Sequence, residues 1–208
     1  HKFLEAVDLP PERCHEVATL PIDRILAGLD AVDPIIGRGR VYFGPVLDER
    51  SLQRHPFYPD APAQSARIPM FIGDTSGETR WRIGSGDPTT FDLTWDRLAD
   101  RLAGEMRVDI HPQHVVNEYR KLYPDASPSD VFFAATTASR SWRGALIELE
   151  ARAHQGAPTY AYQLDFGSPV DDGAWGAFHG LDIPLVFGNL DRAGSLTGTT
   201  ESARRVSA

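Results

Sequence analysis

Apolar residues recur at helical spacing near the start of the chain. FLEAVDL, residues 3–9, and PIDRILAGL, 21–29, both show the pattern, the second through Ile22, Ile25, Leu26 and Leu29, and the polar PPERCHEVATL separates them. An all-helical entry is predicted. Residues 30–65 are rich in Pro, Gly and Asp, which predicts mostly irregular chain with one short strand at Val41–Phe43. A connection of that length points to function or to an extended surface crossing. IPMFIG, 68–73, is a short apolar run closed by a glycine, and it reads as a buried strand leading into the polar loop DTSGETR. LTWDRLADRLAGEM, 93–106, aligns Leu93, Leu98, Leu102 and Met106 on one stripe, and PQHVVNEYRKLY, 112–123, opens with a proline suited to a first helical turn. Both predict helices. From Ser127, placed as an N-cap ahead of Pro128, to Gly156 the pattern is helical but too long for one ordinary helix, so two helices with a break near Thr136–Arg140 are expected. TYAYQLDF, 159–166, is aromatic and partly alternating, hence a strand.

Two strands separated by helices predict a parallel pair in an α/β sheet with a right-handed crossover. Ligands gather at the carboxyl ends of strands in such sheets. DTSGETR and the later stretch AWGAFHGLDIPLVFGNL, 174–190, both lie beyond strand carboxyl ends, so two polar loops from distant parts of the chain are expected to face one another.

Composition narrows the range of functions. The chain has 208 residues, 41% hydrophobic and 24% charged, which fits one soluble globular unit with enough apolar surface for a core. A formal net charge of -8, with no cluster of basic residues beyond pairs such as Arg38 and Arg40, argues against a nucleic-acid partner. Cys14 is the single cysteine, which excludes an internal disulfide and a Cys-based zinc site. No apolar run approaches the ~20 residues that span a bilayer. The compartment stays open. His111 and His114 in IHPQH are three apart, but Pro112 lies between them and no neighbouring ligand completes a metal set. GRGR and GSGD lack the strand, lysine and helix of a phosphate loop and read as turns.

The candidate chemistry centres on His179, flanked by Phe178 and Gly180. An imidazole titrates near neutral pH and can move a proton if a partner fixes its tautomer. A carboxylate from the facing loop supplies one by accepting the Nδ1 proton, and both Glu78 and Asp74 are available. Spacing alone does not choose between them.

The order of strand, acid loop, helices, strand and histidine loop is similar to the second half of an α/β-hydrolase. More closely, FGPVLDERSL, IPMFIGDTSGETR and WGAFHGLDIPLVFGNL resemble segments of the type-B carboxylesterases, the family of the cholinesterases. The resemblance runs along nearly the whole sequence. It implies Glu78 rather than Asp74 as the orienting acid, and His179 as general base and then general acid in acyl transfer on a small carboxylic ester. It implies no cofactor. Trp175, in the same loop as His179, is a candidate wall for the substrate pocket.

The family's nucleophile elbow, G-x-S-x-G, is absent. In GDTSGE, Ser76 has Asp74 two residues before it; in GSGD, Ser85 has glycines directly beside it. The glycine-rich oxyanion segment is missing too. With an opening HKFLEAVDLPPE that has neither an initiator methionine nor a charged-then-apolar leader, the expectation is a piece of a longer protein. On that reading, residues 1–208 are the carboxyl-terminal portion of one α/β-hydrolase domain. Helices and a long loop fill 1–65, and the strand, acid loop, helices, strand and histidine loop fill 66–208. The chain then supplies two members of a Ser-Glu-His triad and is inactive alone, the amino-terminal half being its partner. The alternative is a non-catalytic recognition module of the cholinesterase-like adhesion type.

Overall fold

The computed structural model describes residues 2–32, 44–106, 109–192 and 194–208. It divides into two compact units, His1–His55 and Pro56–Ala208, the boundary falling inside the predicted Pro-rich connection. The strand expected at Val41–Phe43 and the GRGR turn lie outside the described residues.

In the first unit, helix α1 (Lys2–Ala6) and helix α2 (Ile22–Gly28) flank a 3-10 segment, Pro11–Thr19. Phe3, Val7 and Leu9 are buried together, with Leu4, Val17, Leu20, Ile25 and Leu29 packed around them. Gly28 permits this approach, since a Cβ there would lie 2.6 Å from Val7 Cγ1 and 2.8 Å from Phe3 Cε2. Further on, Asp48 closes a turn by accepting the N–H groups of Leu52, Ser51 and Arg50 at 2.8, 2.7 and 3.1 Å. Those bonds, that of Leu52 foremost, lower its pKa to about 2.

The second unit is built on strand β1 (Met70–Thr75) and strand β2 (Thr159–Leu164), paired in parallel from Met70↔Thr159 to Thr75↔Leu164. Between them come helices α3 (Glu78–Gly84), α4 (Trp95–Ala103), α5 (Pro112–Leu122), α6 (Pro128–Thr137) and α7 (Arg143–His154). Short helices α8 (Asp182–Val186) and α9 (Glu201–Ser207) follow β2. The predicted stripe is the inner face of α4: Leu98 and Leu102 are fully buried against Val116, Val131, Phe132 and Phe133. A second apolar cluster, Phe178, Leu181, Leu185, Leu190 and Ala203, underlies the histidine loop.

The ends of the long helical stretch follow its sequence. Ser127 and Asp130 form a reciprocal capping box at the start of α6. At the end of α7, Gly156 adopts φ +72° while its N–H donates to Ala153 O and that of Ala157 to Arg152 O, the Schellman pattern that glycine favours. The stretch holds two helices, as expected, and the interruption overlaps the predicted place. It is a π-helical turn at Ala138–Trp142, however, that joins α6 to α7 without leaving the helix. The hydroxyls of Thr136 and Ser139 bond back to carbonyls of the preceding turn, so the polar residues that read as an interruption are satisfied within it.

α7 packs on both strands and pins the entry to β1. Buried Arg152 donates to Ser65 O at 2.7 Å and also to Ile68 O. In the sheet, Gly73 sits opposite Tyr162, whose ring fills the place a side chain would take: an added Cβ would lie 2.2 Å from it. Among the described residues no helix is long and apolar enough to cross a membrane, and no three His, Cys, Asp or Glu side chains gather as metal ligands.

Candidate active site

The acid loop leaves β1 and turns at once into α3. Glu78 is the first residue of that helix, and its Oε1 folds back to accept the N–H of Thr75 at 2.7 Å. This bond occupies one oxygen and leaves the other for the histidine loop. Oε2 lies 2.5 Å from His179 Nδ1, and the carboxylate is 12% exposed against 63% for the imidazole. An ionised carboxylate only accepts, so where Glu78 is ionised the shared proton belongs to Nδ1, and a neutral ring then has its free lone pair on Nε2. Nε2 has no hydrogen-bond partner among the described residues. The pair is thus a partly buried acid holding one edge of a ring that is otherwise largely exposed.

Close backbone approach brings the two loops together. Gly77 N donates to Ala177 O at 2.8 Å, and Gly77 bridges in parallel to Phe178. A Cβ on Gly77 would sit 2.9 Å from that same carbonyl. The backbone of the histidine loop is tightly coiled, with positive φ at Asp171, Asp172, Gly173, Gly176 and Gly180. Aspartate tolerates this region better than most residues with a Cβ. After the histidine, Tyr162 of β2 donates to Asp182 of α8 at 3.0 Å; burial first, and then that bond, raise the phenol's pKa.

Asp74, the rival acid, has no hydrogen bond to His179 among the described residues. Desolvation first, and the nearby charge of Glu78 second, push its carboxyl above the ordinary value. Trp175 is half-buried: its ring stands edge-on to Trp81 at 4.7 Å and to Phe91 at 5.4 Å, and its indole N–H donates to Asp171 at 2.6 Å. These contacts brace the loop that carries His179. No serine hydroxyl bonds to the imidazole among the described residues.

Sequence reasoning read DTSGETR as a loop and so missed α3 and the side chains it directs. Thr79 is buried, and its hydroxyl meets Phe133 O at 3.1 Å, Thr136 Oγ1 at 2.7 Å and Thr137 Oγ1 at 3.0 Å. Arg80 pairs with Asp130 at 2.5 Å. Burial works against the Asp130 carboxylate, but Ser127 and Arg80 together outweigh it and hold its pKa below the ordinary range. The one sequence signal was a pair of adjacent threonines, Thr136 and Thr137, inside an otherwise apolar helical run.

No family model matches the chain. It is similar to para-nitrobenzyl esterase of Bacillus subtilis (strain 168), 28% identical over 156 residues that make up 73% of this chain and 29% of that protein. It is also similar to phenmedipham hydrolase of Pseudarthrobacter oxydans, 26% identical over 175 residues, 83% of this chain and 34% of that protein. The crystal structure of a Geobacillus stearothermophilus carboxylesterase superposes with a TM-score of 0.67 at 27% identity, covering 98% of this chain and 40% of the other. The chain spans about a third of the length of the curated relatives. Parallel strands, flanking helices and a carboxylate-imidazole pair beyond the strand ends define an α/β-hydrolase-type chain. Within that fold it is type-B carboxylesterase-like: the proteins it resembles are named an esterase, a hydrolase and a carboxylesterase.

Proposed function

We propose that this chain forms part of a carboxylic ester hydrolase in which Glu78 and His179 serve a serine located outside these 208 residues. The observation that carries the reading is the Glu78 Oε2 to His179 Nδ1 contact of 2.5 Å with Nε2 left open. In the reaction the serine hydroxyl attacks the ester carbonyl while His179 Nε2 takes its proton. Collapse of the tetrahedral intermediate releases the alcohol, which receives that proton, and leaves an acyl-enzyme. Water repeats the sequence and frees the acid. Glu78 holds the Nδ1 proton and stabilises the imidazolium at each stage.

The test compares two forms of the protein. The 208-residue chain alone is expected to hydrolyse an activated ester no faster than equimolar free imidazole and to resist labelling by an organophosphate. The protein that includes the family's serine-bearing half is expected to be labelled, and His179→Ala in it abolishes both labelling and turnover. Labelling of the short chain, or a longer protein that neither reacts nor turns over ester, overturns the proposal. The second result would favour a recognition module.

A further inference from the structure

Arg80 lies two residues beyond Glu78 on α3 but points elsewhere. One arm of its guanidinium meets Asp130 Oδ1 at 2.5 Å and another donates to the carbonyl of Ala174 at 3.2 Å, while its Cζ stands 5.1 Å from the centre of the Phe133 ring. Asp130 is fixed in turn by the capping box of α6, and Phe133 belongs to the buried core. The arginine stem runs beneath the histidine loop: a Cβ on Gly176 would lie 3.1 Å from its Cδ and 3.3 Å from its Nε. A side chain anchored in the rigid part of the fold therefore reaches out and grips the loop five residues before the imidazole.

That loop needs gripping. Five of its ten residues from Asp171 to Gly180 have positive φ, and two of those are aspartates, for which the conformation is unfavourable. Without the Arg80 bond the segment keeps its backbone bonds at Gly176 and Ala177 but loses its tie to Asp130 and Phe133.

We infer that Arg80 is a positioning residue for the Glu78–His179 pair, holding the histidine loop at Ala174 O from an anchor on Asp130 and Phe133. The inference rests on the proposed role of that pair, and it names a residue the chemistry itself does not touch. Loss of a hydrogen bond to a charged group is expected to raise the fraction of time the loop is open by about tenfold or more.

The experiment follows the far-downfield Nδ1 proton of His179 by NMR in the 208-residue chain, together with the thermal midpoint. In the native sequence the resonance is expected, and Glu78→Gln is expected to remove it. Arg80→Met is expected to raise its solvent-exchange rate about tenfold or more, and Arg80→Lys to restore part of the protection. If Arg80→Met unfolds, Asp130→Asn decides instead, since asparagine keeps an acceptor for the capping box but weakens the anchor; the same faster exchange is expected. A resonance with native exchange in the folded Arg80→Met or Asp130→Asn chain overturns the positioning role and leaves the pair intact. A native chain without the resonance overturns the pair and the positioning role together.

Discussion

Replacing Thr79 by Val tests how the acid-bearing helix is held. The substitution keeps the shape of the side chain and removes one oxygen from a site that is 1% exposed. That oxygen has three neighbours: Phe133 O, Thr136 Oγ1 and Thr137 Oγ1. Each hydroxyl owns one proton. Thr136 has the carbonyl of Phe132 at 2.8 Å for its own, so it loses little. Thr137 Oγ1 accepts the backbone N–H of Thr79 at 3.3 Å and bonds no carbonyl among the described residues. With Phe133 O taking the Thr79 proton and Phe132 O that of Thr136, the Thr137 proton falls to Thr79 Oγ1, and the variant strands it in a dry interior. A buried donor without a partner costs about 1–3 kcal/mol. For a chain of this length that lowers Tm by about 2–4 °C for each kcal/mol. Urea denaturation is the assay: the midpoint falls and the slope stays constant. Thr136→Val is the control, and it is expected to cost less because Thr79 can still donate to Phe133 O. A loss below about 0.5 kcal/mol for Thr79→Val, the scatter of an ordinary surface substitution, or a larger loss for the control, refutes the proton accounting.

Gly77→Ala puts a methyl group 2.9 Å from the Ala177 carbonyl at a residue whose φ of -131° suits alanine, so any penalty comes from crowding between the loops. The expected result is a loss of about 1–3 kcal/mol with faster exchange of the His179 Nδ1 proton; native values for both would show that the loops do not depend on this contact. Asp74→Asn addresses pH. Because the folded carboxyl has a pKa raised above its ordinary 3.8, Asp74 costs no stability below that value and an increasing amount as pH rises through the folded pKa. The asparagine variant is therefore expected to be more stable than the native chain at pH 7, with the advantage vanishing below about pH 4; thermal midpoints across that range check it, and a pH-independent difference contradicts it.

Much of the frame follows from the sequence alone. The stripe through Leu98 and Leu102, the cap at Ser127, the glycine at 156 and the aromatic strand after it are set by interactions within a few residues, and they stand where local periodicity and capping chemistry put them. The order of the two polar loops was readable as well, because a parallel strand pair carries both to the same end of the sheet. Tertiary structure decided which carboxylate the imidazole meets: Thr75 and Gly77 turn Glu78 toward His179, whereas Asp74 on the strand has no bond to it. It also made a helix of ETRWRIG and a continuous π-turn of ASRSW. The first is too short and polar for periodicity to reveal and is held by partners far away in the chain, as when Thr79 meets Thr136 and Thr137 or Arg80 meets Asp130 and Ala174. The second lies in a stretch whose helical pattern was legible, and its neighbouring hydroxyls are satisfied within the helix instead of breaking it. Local sequence encodes propensities and caps; a polar side chain whose only satisfaction lies some fifty or ninety residues away acquires its role when folding brings that partner within reach.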